Sequence, residues 1–101
     1  IRDSVVSGNN GDGINATSAT SGSNAEINVE SCLISNNNAS GVHALGTGGG
    51  VGFITISNST VTDNGVGLQQ AVNGVLQSRL TNTVSGNGTD ELGSITSYSA
   101  R

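Results

Sequence analysis

Apolar and polar residues alternate along this chain in short bursts, and the bursts recur. Ile27-Asn28-Val29-Glu30 and Ile54-Thr55-Ile56-Ser57 alternate strictly, as do Ile14-Asn15-Ala16 and Val42-His43-Ala44. Gly, Asn, Ser and Thr separate them. A period of two marks a β-strand with one face buried, and no stretch carries the i, i+3, i+4 recurrence of an amphipathic helix. Strands this short bury too little to stand alone.

The bursts return at long, nearly fixed offsets, and internal repeats of this length signal stacked architectures. Residues 1–16 lie over residues 29–44 without a gap, the same frame recurs at 56–68, and its centre returns at 83–88. Val6, Ile34, Val61 and Val84 form an aliphatic column. Asn9, Asn37, Asn64 and Asn87 form an asparagine column. Gly13, Gly41 and Gly67 each precede a member of a third column, Ile14, Val42 and Leu68. If successive repeats stack as coils about 4.8 Å apart, each strand pairs in parallel with its copy and the aliphatic columns run inward as one core. Asparagine suits a turn column because it tolerates left-handed backbone and its amide can hydrogen-bond the copy in the next coil.

This pattern predicts an all-β solenoid of about four coils. Repeats fall at 1–28, 29–55 and 56–82, with a partial one at 83–90, and residues 91–101 form a C-terminal cap or tail that leaves the pattern, with Leu92, Ile95 and Tyr98 covering the core. Arg79 falls in the column of Ile56. The variable segments 16–24 and 44–52 are the places for projecting loops. Asn64-Gly65, Asn73-Gly74 and Asn87-Gly88 are hairpin signals that would suit an antiparallel sandwich instead. Hairpin strands, however, need not return the same residues at a fixed long offset.

The S-x-V-x-x-N and G-V or G-I signatures, with the asparagine column, resemble right-handed parallel β-helix repeat proteins of the pectin-lyase-like kind, over about residues 1–90. These include pectin-degrading lyases and hydrolases, alginate-modifying enzymes, phage tailspikes and many bacterial surface or secreted proteins. The resemblance implies a right-handed parallel β-helix, a polysaccharide partner and an extracellular or cell-surface setting. It does not imply catalysis, because function belongs to sites grafted onto a scaffold.

Composition narrows the classes further. Only 10% of the 101 residues are charged, the net charge is −4, and three arginines are the only strong cations. Phosphate binding needs clustered Lys and Arg, so nucleic acid is not an expected partner. No apolar run is long enough for a membrane helix. A single cysteine, Cys32, forbids an internal disulfide, and a buried small apolar role is the expectation for it. The chain opens at Ile1 inside a repeat, which leads us to expect either further coils upstream or homo-oligomerisation through an exposed solenoid end.

Candidate chemistry is sparse. SGNNGDGIN (residues 7–15) looks like a calcium loop, yet an EF-hand reading puts Gly8 at position one and Ala19 at the essential acid. Asp12 corresponds to Ser40 and Val66 in the other repeats, so the stretch is read as a turn, with no metal or other cofactor expected. Glu26, Asn28 and Glu30 project outward from one strand, with Thr55 and Ser57 stacked beside the latter two and Arg2 beside Glu30. We therefore take Glu26, Asn28, Glu30 and Thr55 as the candidate binding residues. Glu26 and Glu30 would sit about 13 Å apart along the strand, beyond the roughly 5–9.5 Å of glycosidase carboxylate pairs. No catalytic set is assigned. His43 is expected on the surface between Asn15 and Gln69, with no carboxylate placed to make a relay.

The expectation is a non-catalytic structural or binding module with carbohydrate the favoured ligand class. The alternative is a fragment or diverged relative of a polysaccharide lyase or hydrolase.

Overall fold

A computed structural model describes residues 1–98. The chain is a parallel β-solenoid with three faces. Each coil contributes one strand to each of three sheets: β1 (Val5–Ser7), β2 (Ile14–Ser18) and β3 (Asn24–Glu30), then β4 (Leu33–Ser35), β5 (Ser40–Gly46) and β6 (Val51–Ser57). The third and fourth coils follow as β7 (Thr60–Thr62), β8 (Val66–Val72) and β9 (Val75–Arg79), then β10 (Thr83–Val84), β11 (Thr89–Leu92) and β12 (Ile95–Tyr98). The sheets run β1-β4-β7-β10, β2-β5-β8-β11 and β3-β6-β9-β12, all parallel. Each face is visited four times, which makes about three full turns. Among the described residues there is no helix.

The register follows the repeat. Val6 pairs with Ile34, Ile34 with Val61 and Val61 with Val84; Ile14 pairs with Val42 and Val42 with Leu68. These inward columns meet Val29, Ile54, Ile56 and Leu76 of the third sheet in one buried cluster that also takes in Cys32. Burying each large aliphatic side chain contributes roughly 1.5–3 kcal/mol, before chain entropy is set against it.

Left-handed residues make the two corners that flank the first sheet. Asp3, Ser31 and Asn58 turn the chain into it, and Gly8, Asn36, Asp63 and Gly86 turn the chain out. The left-handed position on the exit side therefore lies one residue before the asparagine column rather than in it. Asn9, Asn37, Asn64 and Asn87 instead project their amides along the solenoid. Asn9 Nδ2 donates to Asn37 Oδ1 (2.8 Å), Asn37 Nδ2 to Asn64 Oδ1 (2.9 Å) and Asn64 Nδ2 to Asn87 Oδ1 (3.0 Å). Each acceptor oxygen also takes the backbone N–H of the asparagine one coil earlier.

The third corner is one of the places where coils differ in length. The connections between second-sheet and third-sheet strands span 19–23, 47–50, 73–74 and 93–94, shortening along the solenoid. The shortest with its own reverse turn has Val72 at φ +54°, a geometry unfavourable for a β-branched residue.

Two expectations need correction. Ile56 pairs with Ser78, not Arg79. The corner 80–82 holds one residue more than 58–59, so the strand before it slips by one. Asn82 absorbs the slip, accepting from Ser59 N (2.9 Å) and donating to Ile56 O (2.8 Å). Ser78 is thus buried in the core column and Arg79 occupies an outward row. The second correction is that strand pairing does not stop at Asp90: β11 pairs with β8 and β12 with β9. Ile95 packs against the core as expected, but Leu92, opposite Gln69 on the outward row, stays 47% exposed. The Tyr98 side chain and residues 99–101 lie outside the described residues, so the capping role expected of Tyr98 does too.

Candidate functional site

Alternation along the third sheet decides what this face can offer a ligand. Ala25, Ile27 and Val29 of β3 point inward, so Glu26, Asn28 and Glu30 point out. Register then builds outward rows across the coils: Glu26–Phe53–Val75, Asn28–Thr55–Gln77, and Glu30–Ser57 with Arg79 in the next coil. Neighbouring members of a row are about 4.8 Å apart. Between the second and third rows opens a cleft of about 320 Å³ lined by Asn28, Val29, Glu30, Thr55, Ser57, Asn58 and Arg79.

The structure thus gathers Asn28, Glu30 and Thr55 at one cleft, while Glu26 is not among its lining residues and shares its row with Phe53. Ser57, Asn58 and Arg79 complete the cleft. They were not singled out in the sequence: Ser57 looked like a plain outward serine, Asn58 is a left-handed corner residue, and Arg79 was assigned to the wrong column. Phe53 was also missed, although the alternation of β6 places it outward, where it lies half-buried beside Glu26 and Val75.

The Glu30 carboxylate at the cleft is paired within the protein. Arg2 meets Glu30 across a β-bridge, Nη2 to Oε1 3.5 Å, and also lies 3.8 Å from Asp3. The stacking of Arg2 beside Glu30 read from the sequence is therefore present, as an ion pair. With side chains 74% and 50% exposed, it contributes at most about 1 kcal/mol.

A second polar cluster sits on the second sheet and overturns the surface reading of His43. Asp12, from the turn before β2, reaches the next coil: Oδ1 accepts the Ser40 N–H at 2.9 Å, and Oδ2 accepts Asn15 Nδ2 at 2.7 Å and lies 3.0 Å from His43 Nδ1. A carboxylate only accepts, so Nδ1 carries the imidazole hydrogen. The His43 side chain is 17% exposed, and its Nε2 is buried without a hydrogen-bond partner. A His–Asp pair orients a general base only if the far nitrogen can reach a substrate. Here that nitrogen is covered by the protein, so the pair pins one coil to the next. Asp12 is similarly engaged, with both oxygens on protein donors.

Burial opposes ionisation of Asp12, but hydrogen bonds from Asn15, the Ser40 amide and His43, together with the charge of His43, outweigh it and hold the pKa below the usual aspartate value. A depressed folded-state pKa stabilises the fold above the unfolded value, about 3.9, and that contribution is lost as pH falls through the folded value. Asp12→Asn should therefore cost stability at pH 6 and cost less at pH 2.5. Urea midpoints of both proteins at the two pH values check this. A deficit that is the same at both would show that the ionised carboxylate is not what matters.

The fold and these surfaces define the class: a parallel β-solenoid with a polar cleft on its third sheet. Beyond the class, no family model, no curated protein and no solved structure matches this chain.

Proposed function

We propose that this solenoid is a non-catalytic binding module for an extended polysaccharide, carried by a secreted or surface protein, with the third-sheet cleft as its contact. The observation that carries the proposal is the cleft's lining: Asn28, Thr55, Ser57 and Asn58 are neutral hydrogen-bonding side chains, bordered by Glu30 and Arg79. Such groups match the hydroxyls of a sugar polymer. Phe53, on the same face, supplies an apolar ring of the kind that binding sites combine with a few polar anchors. The rows also repeat about every 4.8 Å, so a chain lying along the solenoid axis meets similar donors in each coil. The likeness of the repeat to pectin-lyase-like proteins points to the same ligand class.

Calorimetric titration with neutral and uronic-acid polysaccharides tests this. The protein should bind at least one polymer, and Asn28→Ala and Thr55→Ala should each weaken binding about tenfold, the worth of one good hydrogen bond, without lowering the melting temperature. Silence with every polymer, or unchanged binding by both variants, would discard the reading. The lyase alternative has a separate signature: release of unsaturated ends from a uronate polymer with calcium added would replace a binding module with an enzyme.

A further inference from the structure

The glycine column ends in an aspartate. Gly13, Gly41, Gly67 and Asp90 occupy equivalent places, each one residue before the inward column Ile14, Val42, Leu68 and Glu91. At Gly67 a Cβ would stand 2.8 Å from Asn87 Nδ2, the ladder amide of the next coil. Asp90 carries a side chain in the space that a further ladder asparagine would take, and the side chain takes over the asparagine's work. Asp90 Oδ1 accepts Asn87 N at 3.2 Å and Asn87 Nδ2 at 3.1 Å. These are the two donors that every earlier asparagine gives to the next asparagine's Oδ1. One residue on, the core column that was Ile14, Val42 and Leu68 becomes an exposed glutamate.

We propose that Asp90 and Glu91 close this end of the solenoid to any coil offered by a second copy. An incoming β1–β3 coil would find the acceptor slot for Asn9 filled by a carboxylate, and would have to bury the Glu91 charge under its own aliphatic column, which is costly for an unpaired ion. The opposite end has no such closure. Among the described residues nothing donates to Asn9 Oδ1, and Ile1, in register with the inward Val29, is 53% exposed. Head-to-tail contacts between copies are open-ended, whereas a contact of one surface with itself stops at a dimer. Closing this end therefore blocks open-ended head-to-tail filaments.

The test restores the repeat. In Asp90→Gly/Glu91→Val the slot and the aliphatic column reappear, and light scattering over a concentration series should show masses growing beyond the dimer. The native protein should show no such series, and adding Ile1→Lys at the other end should abolish it in the variant. The proposal is overturned if the folded double variant never exceeds the mass of the native protein, or if the native protein itself forms the open-ended series. Should the double variant lose its fold, amide exchange at Asn87 decides instead. Asp90→Ala should speed it about tenfold or more, as loss of a hydrogen bond to a charged group implies, and Asp90→Asn should restore it. Unchanged exchange in Asp90→Ala overturns the cap.

Discussion

Asn64→Ala should lower the stability of this protein by about 3–5 kcal/mol, because it strands several buried groups at once. Asn64 is 4% exposed. Its Oδ1 accepts Asn37 N at 3.1 Å and Asn37 Nδ2 at 2.9 Å, and its Nδ2 faces Asn87 Oδ1, Ile34 O and Thr62 O at 3.0, 3.1 and 3.0 Å. Truncation removes one residue but leaves donors on Asn37 and acceptors on Ile34 and Asn87 without it. Domains of this size hold only about 5–15 kcal/mol in total, so the variant should be partly unfolded in mild urea. Position along the ladder grades the effect. Asn9 is exposed and uses its amide chiefly as a donor to Asn37, so Asn9→Ala should cost no more than about 1 kcal/mol. Urea midpoints of the two variants decide it: equal losses would mean that the ladder is a surface ornament rather than a cooperative spine.

The ladder is also the part of the fold that could be read from sequence. A stacked coil repeats the same chemical problem at a fixed offset, so the solution repeats: Asn9 through Asn87 in the turn, Val6 through Val84 and Ile14 through Leu68 in the core. The outward rows followed from strand alternation, which placed Asn28 beside Thr55 and Arg2 beside Glu30. What escaped was whatever happens once. Asp12 answers to Ser40 and Val66 in the other coils, so nothing in the repeat marks it, yet its carboxylate crosses to Ser40 and His43 of the next coil. The extra corner residue before Thr83 changed the register of β9 by one, and a shift of one exchanges the inward and outward faces of a strand. That is why Arg79, at the cleft, was first set in the core column. The rest of the fourth coil, beyond Asp90, escaped for a related reason. Asp90 and Glu91 replace the glycine and the aliphatic residue by which the repeat is recognised, because closing an end requires chemistry that the interior of the stack forbids.

Gly41→Ala should be about as damaging as losing Asn64, and for a linked reason. The backbone of Gly41 is not in the left-handed region, so an alanine there meets no torsional objection. The obstacle is space: its Cβ would lie 2.8 Å from Asn64 Nδ2, 2.9 Å from Val61 Cγ1 and 3.0 Å from Gly67 O. Neither the backbone oxygen nor the buried valine can retreat, and moving the amide breaks the ladder, so a loss of about 3 kcal/mol or more is expected from overpacking with a disrupted polar network. Gly11 supplies the contrast. Nothing lies within 4 Å of its added Cβ and its φ is ordinary, so Gly11→Ala should be neutral or stabilise by up to about 1 kcal/mol through the unfolded chain. The two effects at the corner should also be coupled. In the Gly41→Ala/Asn64→Ala double variant the amide that obstructs the new methyl is gone, so the combined loss should fall short of the sum by about 1 kcal/mol or more. Thermal melts of the four proteins in this cycle measure that shortfall, and strict additivity would show that glycine and asparagine are not recurring together as one structural unit.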